Sequence, residues 1–242
     1  MQTPSAVDIL AIAAHRDDVE QTCGGTLLAM HALGQRTGIL DLTRGESGTR
    51  GTAAEREAEA TEAARILGIT HREALDLPDG NVQNTYENRL KIAAVLRRLR
   101  PRVVILPYWQ GRHPDHYTTA TLGYEACFVS GLSRLAIDGG DPPHRPYKIL
   151  YASLYADVRP TFVVDITPHM ETRLQALLAY RSQYADQQQG GGLFVPEAEI
   201  RERTFASARH YGLLAGVRYA EPFVQKEVSL VDDLLHLPVQ SI

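Results

Sequence analysis

The chain has 242 residues, 29 of them acidic and 25 of them Lys or Arg, and its formal net charge is −4. Hydrophobic residues make up 44% and charged residues 22%, which is typical of a folded globular domain and excludes a disordered or collagen-like chain. This mild acidity suits neither nucleic acid nor an anionic membrane, so we expect neither as a partner. No apolar run approaches the roughly 20 residues of a transmembrane helix. The N-terminal segment lacks the features of a signal peptide, so we expect a cytoplasmic protein.

The first two-thirds of the chain alternates between predicted strands and predicted helices. Continuous apolar runs predict buried strands at residues 7–14, 38–43, 74–77 and 103–107. Apolar residues at helical spacing predict helices at residues 25–34, 53–67, 84–100 and 117–132. Alternation of this kind predicts an α/β fold with a Rossmann-like, mostly parallel sheet flanked by helices.

The pattern changes after a turn-rich break at residues 138–146. Predicted strands at 148–155 and 162–166 are followed by predicted helices at 168–184 and 196–214, with a glycine linker at 190–192. We therefore expect a single domain over residues 1–242. Its parallel core spans about residues 5–135, and a smaller C-terminal strand/helix extension spans about residues 146–242.

Ligands of parallel sheets bind outside the carboxyl ends of the strands, which selects the predicted loops at residues 15–25, 44–52, 78–84 and 108–116. The first of these carries His15, Asp17 and Asp18, and the last carries His113, Asp115 and His116. Imidazole nitrogens and carboxylate oxygens suit zinc, whose catalytic sites use three protein ligands and one open position. His15 and Asp18 are three residues apart and can converge, and His113 or His116 would supply the third ligand. Asp17 remains as the carboxylate free to act as a base.

Each cluster alone has an ordinary structural explanation. Two aspartates after a strand often cap a helix, and a single histidine in a loop is more often structural than ligating. Clusters at like ends of two predicted strands are harder to explain by capping, so the pair favours a metal site. Two other classes stay open, namely a sugar- or nucleotide-binding module and a zinc-storing or zinc-sensing protein. The glycine-bearing segments at residues 24–26 and 48–51 match no phosphate-binding motif, which disfavours the nucleotide-binding module.

The HRDDVE segment at residues 15–20 and the HPDH segment at residues 113–116 resemble the LmbE-like, or PIG-L-like, family of zinc-dependent N-acetylglucosaminyl deacetylases. The TRGESGTRGT loop, the LPDG turn and the late YGLLAGVRYAEPF stretch are most similar to the branch of that family that acts in bacillithiol biosynthesis. The resemblance extends from about residue 7 to residue 223. One departure is Arg16, which stands where the family usually has proline and puts fine geometry and substrate preference in doubt.

The resemblance implies a role for each polar residue of the two clusters. The implied zinc ligands are His15, Asp18 and His116, and the same ligand set tolerates Fe²⁺. Asp17 would activate water and pass its proton to the leaving amine. His113 would stabilise the oxyanion as an imidazolium, and Asp115 would orient His113.

The resemblance also implies a substrate and its contacts. Arg56 would hold a sugar or a carboxylate, as a GlcNAc-malate substrate requires, although it could equally pair with a neighbouring glutamate on its helix. Arg50 carries the same ambiguity, and Glu46 could bind sugar hydroxyls or cap a turn. GlcNAc-inositol and chitobiose carry the same scissile amide, so the aglycone stays open. Relatives in this branch are often hexameric, so we expect a homo-oligomer, with a hexamer as one candidate.

Overall fold

A single mostly parallel sheet organises the computed structural model, which describes residues 7–154, 156–185 and 195–239. Its strands within these residues are β1 Ile9–Ala13, β2 Thr37–Asp41, β3 His71–Ala74, β4 Val103–Pro107, β5 Lys148–Ala152, β6 Phe162–Asp165 and β7 Ala220–Val224. The strand order is β3-β2-β1-β4-β5-β7-β6. Strands β1 to β5 are parallel, whereas β7 runs antiparallel to both β5 and β6. The predicted α/β fold is confirmed.

Helices cover both faces of the sheet. They are α1 Asp18–Thr22, α2 Gly24–Ala32, α3 Ala53–Leu67, α4 Tyr86–Leu99, α5 Pro114–Ser130, α6 Met170–Leu178, α7 Arg181–Tyr184 and α8 Glu197–Leu213, with 3-10 turns at Thr167–His169 and Leu234–His236. Along β1, Leu10 and Ile12 belong to the core under α4 and α5, while Ile9 and Ala11 belong to the core under α2 and α3. This alternation explains why the strands are continuous apolar runs. None of the described helices is long and apolar enough to cross a lipid bilayer.

Some predicted boundaries were wrong, and each error has a local cause. β3 lies at His71–Ala74 instead of 74–77, because this edge strand carries polar side chains while the apolar residues that follow it pack from a loop. α5 begins at Pro114 rather than residue 117, since His113 caps it and proline suits the first helical position. The predicted helix at 168–184 is interrupted near Tyr180, whose backbone leaves the helical region. The predicted linker at 190–192 lies outside the described residues.

Strand β7 was not predicted, and it brings a buried carboxylate to the core. Glu221 is 1% exposed, and its oxygens accept the backbone N–H of Gly25 at 2.9 Å and of Thr26 at 2.6 Å. These are free N–H groups in the first turn of α2, where a negative charge is favourable. The Arg173 guanidinium on α6 lies 2.9 Å from the same carboxylate. Glu221 therefore joins β7, α2 and α6.

Replacement of Glu221 tests the importance of this buried contact. We expect Glu221→Ala to lower the free energy of unfolding by about 3–5 kcal/mol, because it leaves Arg173 buried without its partner. Urea denaturation measures the change. The matched control is Glu62→Ala, which removes an exposed pair with Arg65 on α3 and should have a much smaller effect on the free energy of unfolding. Similar losses in the two variants would contradict this account.

Candidate active site

The two polar clusters meet at the carboxyl edge of the sheet. β1 and β4 are parallel neighbours, so the loop after β1 and the start of α5 lie side by side. The former carries His15 and the latter carries His116. The turn after β3 approaches the same place and contributes Asp79, whose carboxylate lies 3.1 Å from the Nε2 atom of His15. The predicted juxtaposition of the two loops is therefore observed.

The side chains of His15, Asp18 and His116 form a closed triangle of possible metal ligands. His15 Nδ1 lies 3.2 Å from His116 Nε2 and 3.4 Å from Asp18 Oδ2. His116 Nε2 lies 3.1 Å from Asp18 Oδ1. Ligands bound to zinc at their usual lengths and tetrahedral angles are roughly 3.4 Å apart. The spacing and the nitrogen/oxygen donor set therefore fit one divalent metal ion.

Two further groups of side chains also cluster closely enough to hold a metal ion, and both include His15. One is His15, His113 and His116, and the other is His15, Asp79 and Asp115. The first group shares His15 and His116 with the triangle. The second faces the opposite nitrogen of His15, where carboxylates commonly orient a metal-bound imidazole through its N–H. We therefore propose the triangle as the ligand set and the two carboxylates as its support.

Asp115 has different contacts from those that the resemblance implied. Its carboxylate lies 3.4 Å from His15 Nε2 and accepts the backbone N–H of Gly80 at 2.8 Å and of Val82 at 3.1 Å. Its hydrogen bond with His113 comes from its own backbone N–H, which donates to His113 Nδ1 at 3.2 Å. The reason is local, because a side chain in the first turn of α5 reaches the turn after β3. The oriented histidine is therefore His15.

The protonation states of the histidines follow from these neighbours. Burial opposes a charge on His15, but Asp18, Asp115 and Asp79 outweigh it and raise the pKa of His15 to about 12. Burial, together with the positive charges of His15 and His116, lowers the pKa of His113 below its usual value. At neutral pH the metal-free site therefore holds a charged His15 and a neutral His113. Because Nδ1 of His113 accepts a hydrogen bond, its Nε2 carries the proton.

Asp17 lies beside the triangle without belonging to it. Its Oδ1 is 3.3 Å from the Arg56 guanidinium, and its Oδ2 accepts hydrogen bonds from the Tyr184 hydroxyl at 2.6 Å and from Gln21 at 3.2 Å. Its side chain is 14% exposed. Such a fixed carboxylate beside a metal site can take up a proton from water. Tyr184 was not anticipated, because it lies in a predicted helix without a recognisable motif.

The predicted substrate-binding residues are engaged with protein groups. Arg56 is 5% exposed and also donates to the Gly45 carbonyl, while its Nε has no hydrogen-bond partner among the described residues. Arg50 is buried and donates to the Gln183 carbonyl. Glu46 accepts the backbone N–H groups of Arg44 and Asp79, which is the turn-capping alternative.

Arg16 turns away from the metal ligands. Its guanidinium is buried, donates to the Ala53 carbonyl at 3.1 Å and lies 3.8 Å from Glu57 on α3. The substitution of the usual proline therefore adds a contact with α3 and leaves the ligand triangle intact.

Comparison with known proteins finds a matching family model and a similar deacetylase. A family model described as PIG-L, GlcNAc-PI de-N-acetylase, matches residues 10–127. The diacetylchitobiose deacetylase of Thermococcus kodakarensis is 33% identical over 227 residues, which cover 88% of this chain and 80% of that protein.

Two solved structures share the fold over most of their length. The conserved protein TT1542 of Thermus thermophilus is 42% identical, with a TM-score of 0.84 over 93% of this chain and 98% of that chain. The N,N'-diacetylchitobiose deacetylase of Pyrococcus horikoshii, complexed with its inhibitor MPG, is 29% identical, with a TM-score of 0.78. The match covers 92% of this chain and 85% of that chain.

Metal binding should release protons. A ligating imidazole must be neutral, whereas His15 is protonated in the metal-free protein at pH 7 because its pKa is raised to about 12. Titration of weakly buffered, metal-free protein with Zn²⁺ should therefore release about one proton per ion. The apparent affinity should rise with pH, by about tenfold per unit for one proton. Replacement of the exposed His31 with Gln should leave this release unchanged, and metal binding without proton release would contradict the assignment.

Proposed function

The chain belongs to the PIG-L/LmbE-like family of deacetylases, and on this premise we propose that it hydrolyses the acetamide of an N-acetylglucosaminyl compound. The products are acetate and a free amine. The observation that carries this proposal is the triangle of His15, Asp18 and His116 beside the separate carboxylate of Asp17. Three ligands and a free base describe a catalytic site, whereas a storage site is closed by its ligands.

Enzymes of this family depend on a metal, and we propose Zn²⁺ here, with Fe²⁺ as the second candidate for the same donors. His15, Asp18 and His116 would hold the divalent ion, which would supply a Lewis acid for the amide carbonyl and for water. Asp79 and Asp115 contact the Nε2 side of His15, which leaves Nδ1 on the side of Asp18 and His116.

Asp17 is the proposed general base. Its carboxylate takes a proton from the attacking water as the new C–O bond forms, and it passes this proton to the amine as the C–N bond breaks. Arg56, Tyr184 and Gln21 keep the carboxylate in place without coordinating the ion. The proton taken from water is thus returned to the product, and the enzyme ends in its starting state.

His113 is the proposed partner of the oxyanion. It stands within the same cluster, with ring centroids 4.7 Å from His15 and 4.9 Å from His116. We propose that it donates a hydrogen bond from Nε2 to the carbonyl oxygen, since its Nδ1 already accepts the backbone N–H of Asp115. A fixed N–H donor stabilises negative charge as it develops on the carbonyl oxygen.

For the aglycone we propose malate first, because the sequence resembles the bacillithiol branch most. A second candidate is N,N'-diacetylchitobiose, which gives its name to the 33% identical relative. The contacts of Arg50 and Arg56 favour this neutral alternative, since both guanidinium groups are buried against protein carbonyls. A malate group would need one of them to exchange partners, with Arg56 as the first choice because its Nε lacks one among the described residues.

We further propose that the protein forms a homo-oligomer, with a hexamer as one candidate. Large apolar side chains in the C-terminal segment are almost fully exposed in the single chain, among them Val228 at 96%, Leu230 at 90% and Leu235 at 92%. Clustered exposure of this kind marks a surface that another protein covers. A second copy of the chain is the proposed partner.

Acetate release tests the reaction. Chelated protein should be inactive, and Zn²⁺ should restore hydrolysis of an N-acetylglucosaminyl substrate. Asp17→Asn should keep the metal but lower kcat by about 10²–10⁴-fold, because the base is lost. His116→Ala should lose metal affinity, and Asp138→Asn, at an exposed position, serves as the control. Loss of metal in Asp17→Asn, or activity that survives chelation, would contradict the assigned roles.

The same assay decides the aglycone. Values of kcat/KM should be compared for GlcNAc-malate, N,N'-diacetylchitobiose and GlcNAc. A preference for GlcNAc-malate supports the bacillithiol branch, and a preference for the disaccharide supports the second candidate. No acetate from any of the three, with one metal ion bound per chain, would favour another N-acyl substrate or a non-catalytic zinc-binding protein.

Light scattering after size exclusion tests the oligomer. We expect the full chain to have the mass of two or more copies of the 26.8 kDa chain. A chain shortened after residue 227 should assemble from fewer copies, because the exposed apolar segment is removed. Leu33→Ser, at an exposed leucine that follows α2, is the control for a general loss of apolar surface. A monomeric full chain would contradict the proposal.

A further inference from the structure

The short helix α7 holds three parts of the site together. Ser182 donates from its backbone N–H and its hydroxyl to the two carboxylate oxygens of Glu59 on α3, at 2.6 and 2.7 Å. Gln183 donates to the Arg50 carbonyl at 2.8 Å, and its own carbonyl accepts from the Arg50 guanidinium at 3.2 Å. Consecutive residues of α7 are thus anchored to α3 and to the glycine-bearing loop at residues 44–52.

Gly51 of the loop at residues 44–52 permits the close approach of α7 to that loop. Gly51 has a φ of +71°, and a Cβ atom placed there would lie 2.6 Å from the hydroxyl oxygen of Ser182 and 2.7 Å from its Cβ. Both the backbone conformation and the lack of space favour glycine. The helix therefore packs directly on the backbone of the loop.

The next residue of α7 is Tyr184, whose hydroxyl donates to Asp17 Oδ2 at 2.6 Å. Among the described residues, this is the shortest hydrogen bond to the Asp17 carboxylate, since Gln21 donates at 3.2 Å and Arg56 at 3.3 Å. Arg56 holds the other oxygen, so the two ends of the carboxylate are fixed from opposite elements.

We propose that Tyr184 is a positioning residue for deacetylation, and that α7 is the element that delivers it. Its hydroxyl fixes Asp17 Oδ2 in the orientation that receives the proton of water. The anchors of Ser182 on Glu59 and of Gln183 on Arg50 hold the hydroxyl in register with Asp17. This inference rests on the proposed role of Asp17 as the base.

The kinetic consequence differs from that of a substrate contact. A misplaced base raises the barrier of the chemical step without changing how the ground-state substrate binds. Loss of the Tyr184 hydroxyl should therefore lower kcat and leave KM unchanged. A tyrosine that binds the sugar would instead raise KM.

The first test is Tyr184→Phe, which removes only the hydroxyl. We expect kcat for the best substrate to fall by about 10- to 100-fold, with KM changed by less than about twofold and metal content unchanged. The matched control is Tyr147→Phe, since this tyrosine is 76% exposed and lies after the turn-rich break, and it should behave as the unmodified protein. An unchanged kcat, or a change confined to KM, would overturn the inference.

A double-mutant cycle tests whether α7 acts through Tyr184. Ser182→Ala removes the hydroxyl contact with Glu59, and it should lower kcat less than Tyr184→Phe does. Once the Tyr184 hydroxyl is absent, the same Ser182→Ala change should have almost no further effect, because the two residues act in series. Independent, multiplying losses would overturn the role of α7.

Crystal structures of the metal-loaded variants separate this inference from the proposed reaction. In Tyr184→Phe we expect the Asp17 carboxylate to rotate or to occupy more than one orientation, whereas in Tyr147→Phe it should keep one. If the unmodified protein deacetylates none of the substrates, the proposed function fails, and this readout still tests Tyr184. An unchanged Asp17 in Tyr184→Phe would overturn the positioning role.

Discussion

The site depends on a single imidazole that has different neighbours at its two nitrogens. His15 Nδ1 faces Asp18 and His116, while His15 Nε2 faces Asp79 and Asp115. Carboxylates on the outer nitrogen fix the ring and its tautomer, so that the inner nitrogen is presented as a ligand. Asp115 is itself held by backbone N–H groups of the turn after β3. The orientation of His15 is therefore set by three loops, so a metal ion at the proposed site would require these separate segments of the chain to meet.

A buried ionic layer supports the loop that carries His15. Arg72 on β3 lies 2.8 Å from Asp41 on β2 and 2.7 Å from Glu20 on α1, and it also donates to the Arg16 carbonyl. Burial raises the pKa of Glu20 to about 7, although Arg72 opposes this shift. Buried ion pairs of this kind add little stability over apolar packing. Their effect here is geometric, because the planar guanidinium fits one arrangement of β2, α1 and the loop that precedes α1.

The sequence predicts best those features that depend on local patterns. α3 and β4 were predicted residue by residue, because a capping threonine with a final glycine bounds the first and prolines bound the second. β3 was misplaced because Arg72 occupies one of its inward positions, and β7 was missed because Glu221 occupies one of its own. Each charged residue breaks the apolar run of its strand. The ligand triangle could be predicted from the sequence because adjacent parallel strands bring their ends together. The Tyr184 contact could not be predicted, because it joins residues 167 positions apart through the fold alone.

The C-terminal extension is part of the site's construction. Arg173 donates to the carbonyls of Glu20 and Gln21, which are the free acceptors at the end of α1. Tyr180 donates to the Arg16 carbonyl, directly behind the ligand loop. The parallel core thus supplies both the proposed ligands and Asp17, while Arg173, Tyr180 and Tyr184 of the extension hold α1, the loop before it and the Asp17 carboxylate. The extension therefore supports the ligand loop and the proposed base together.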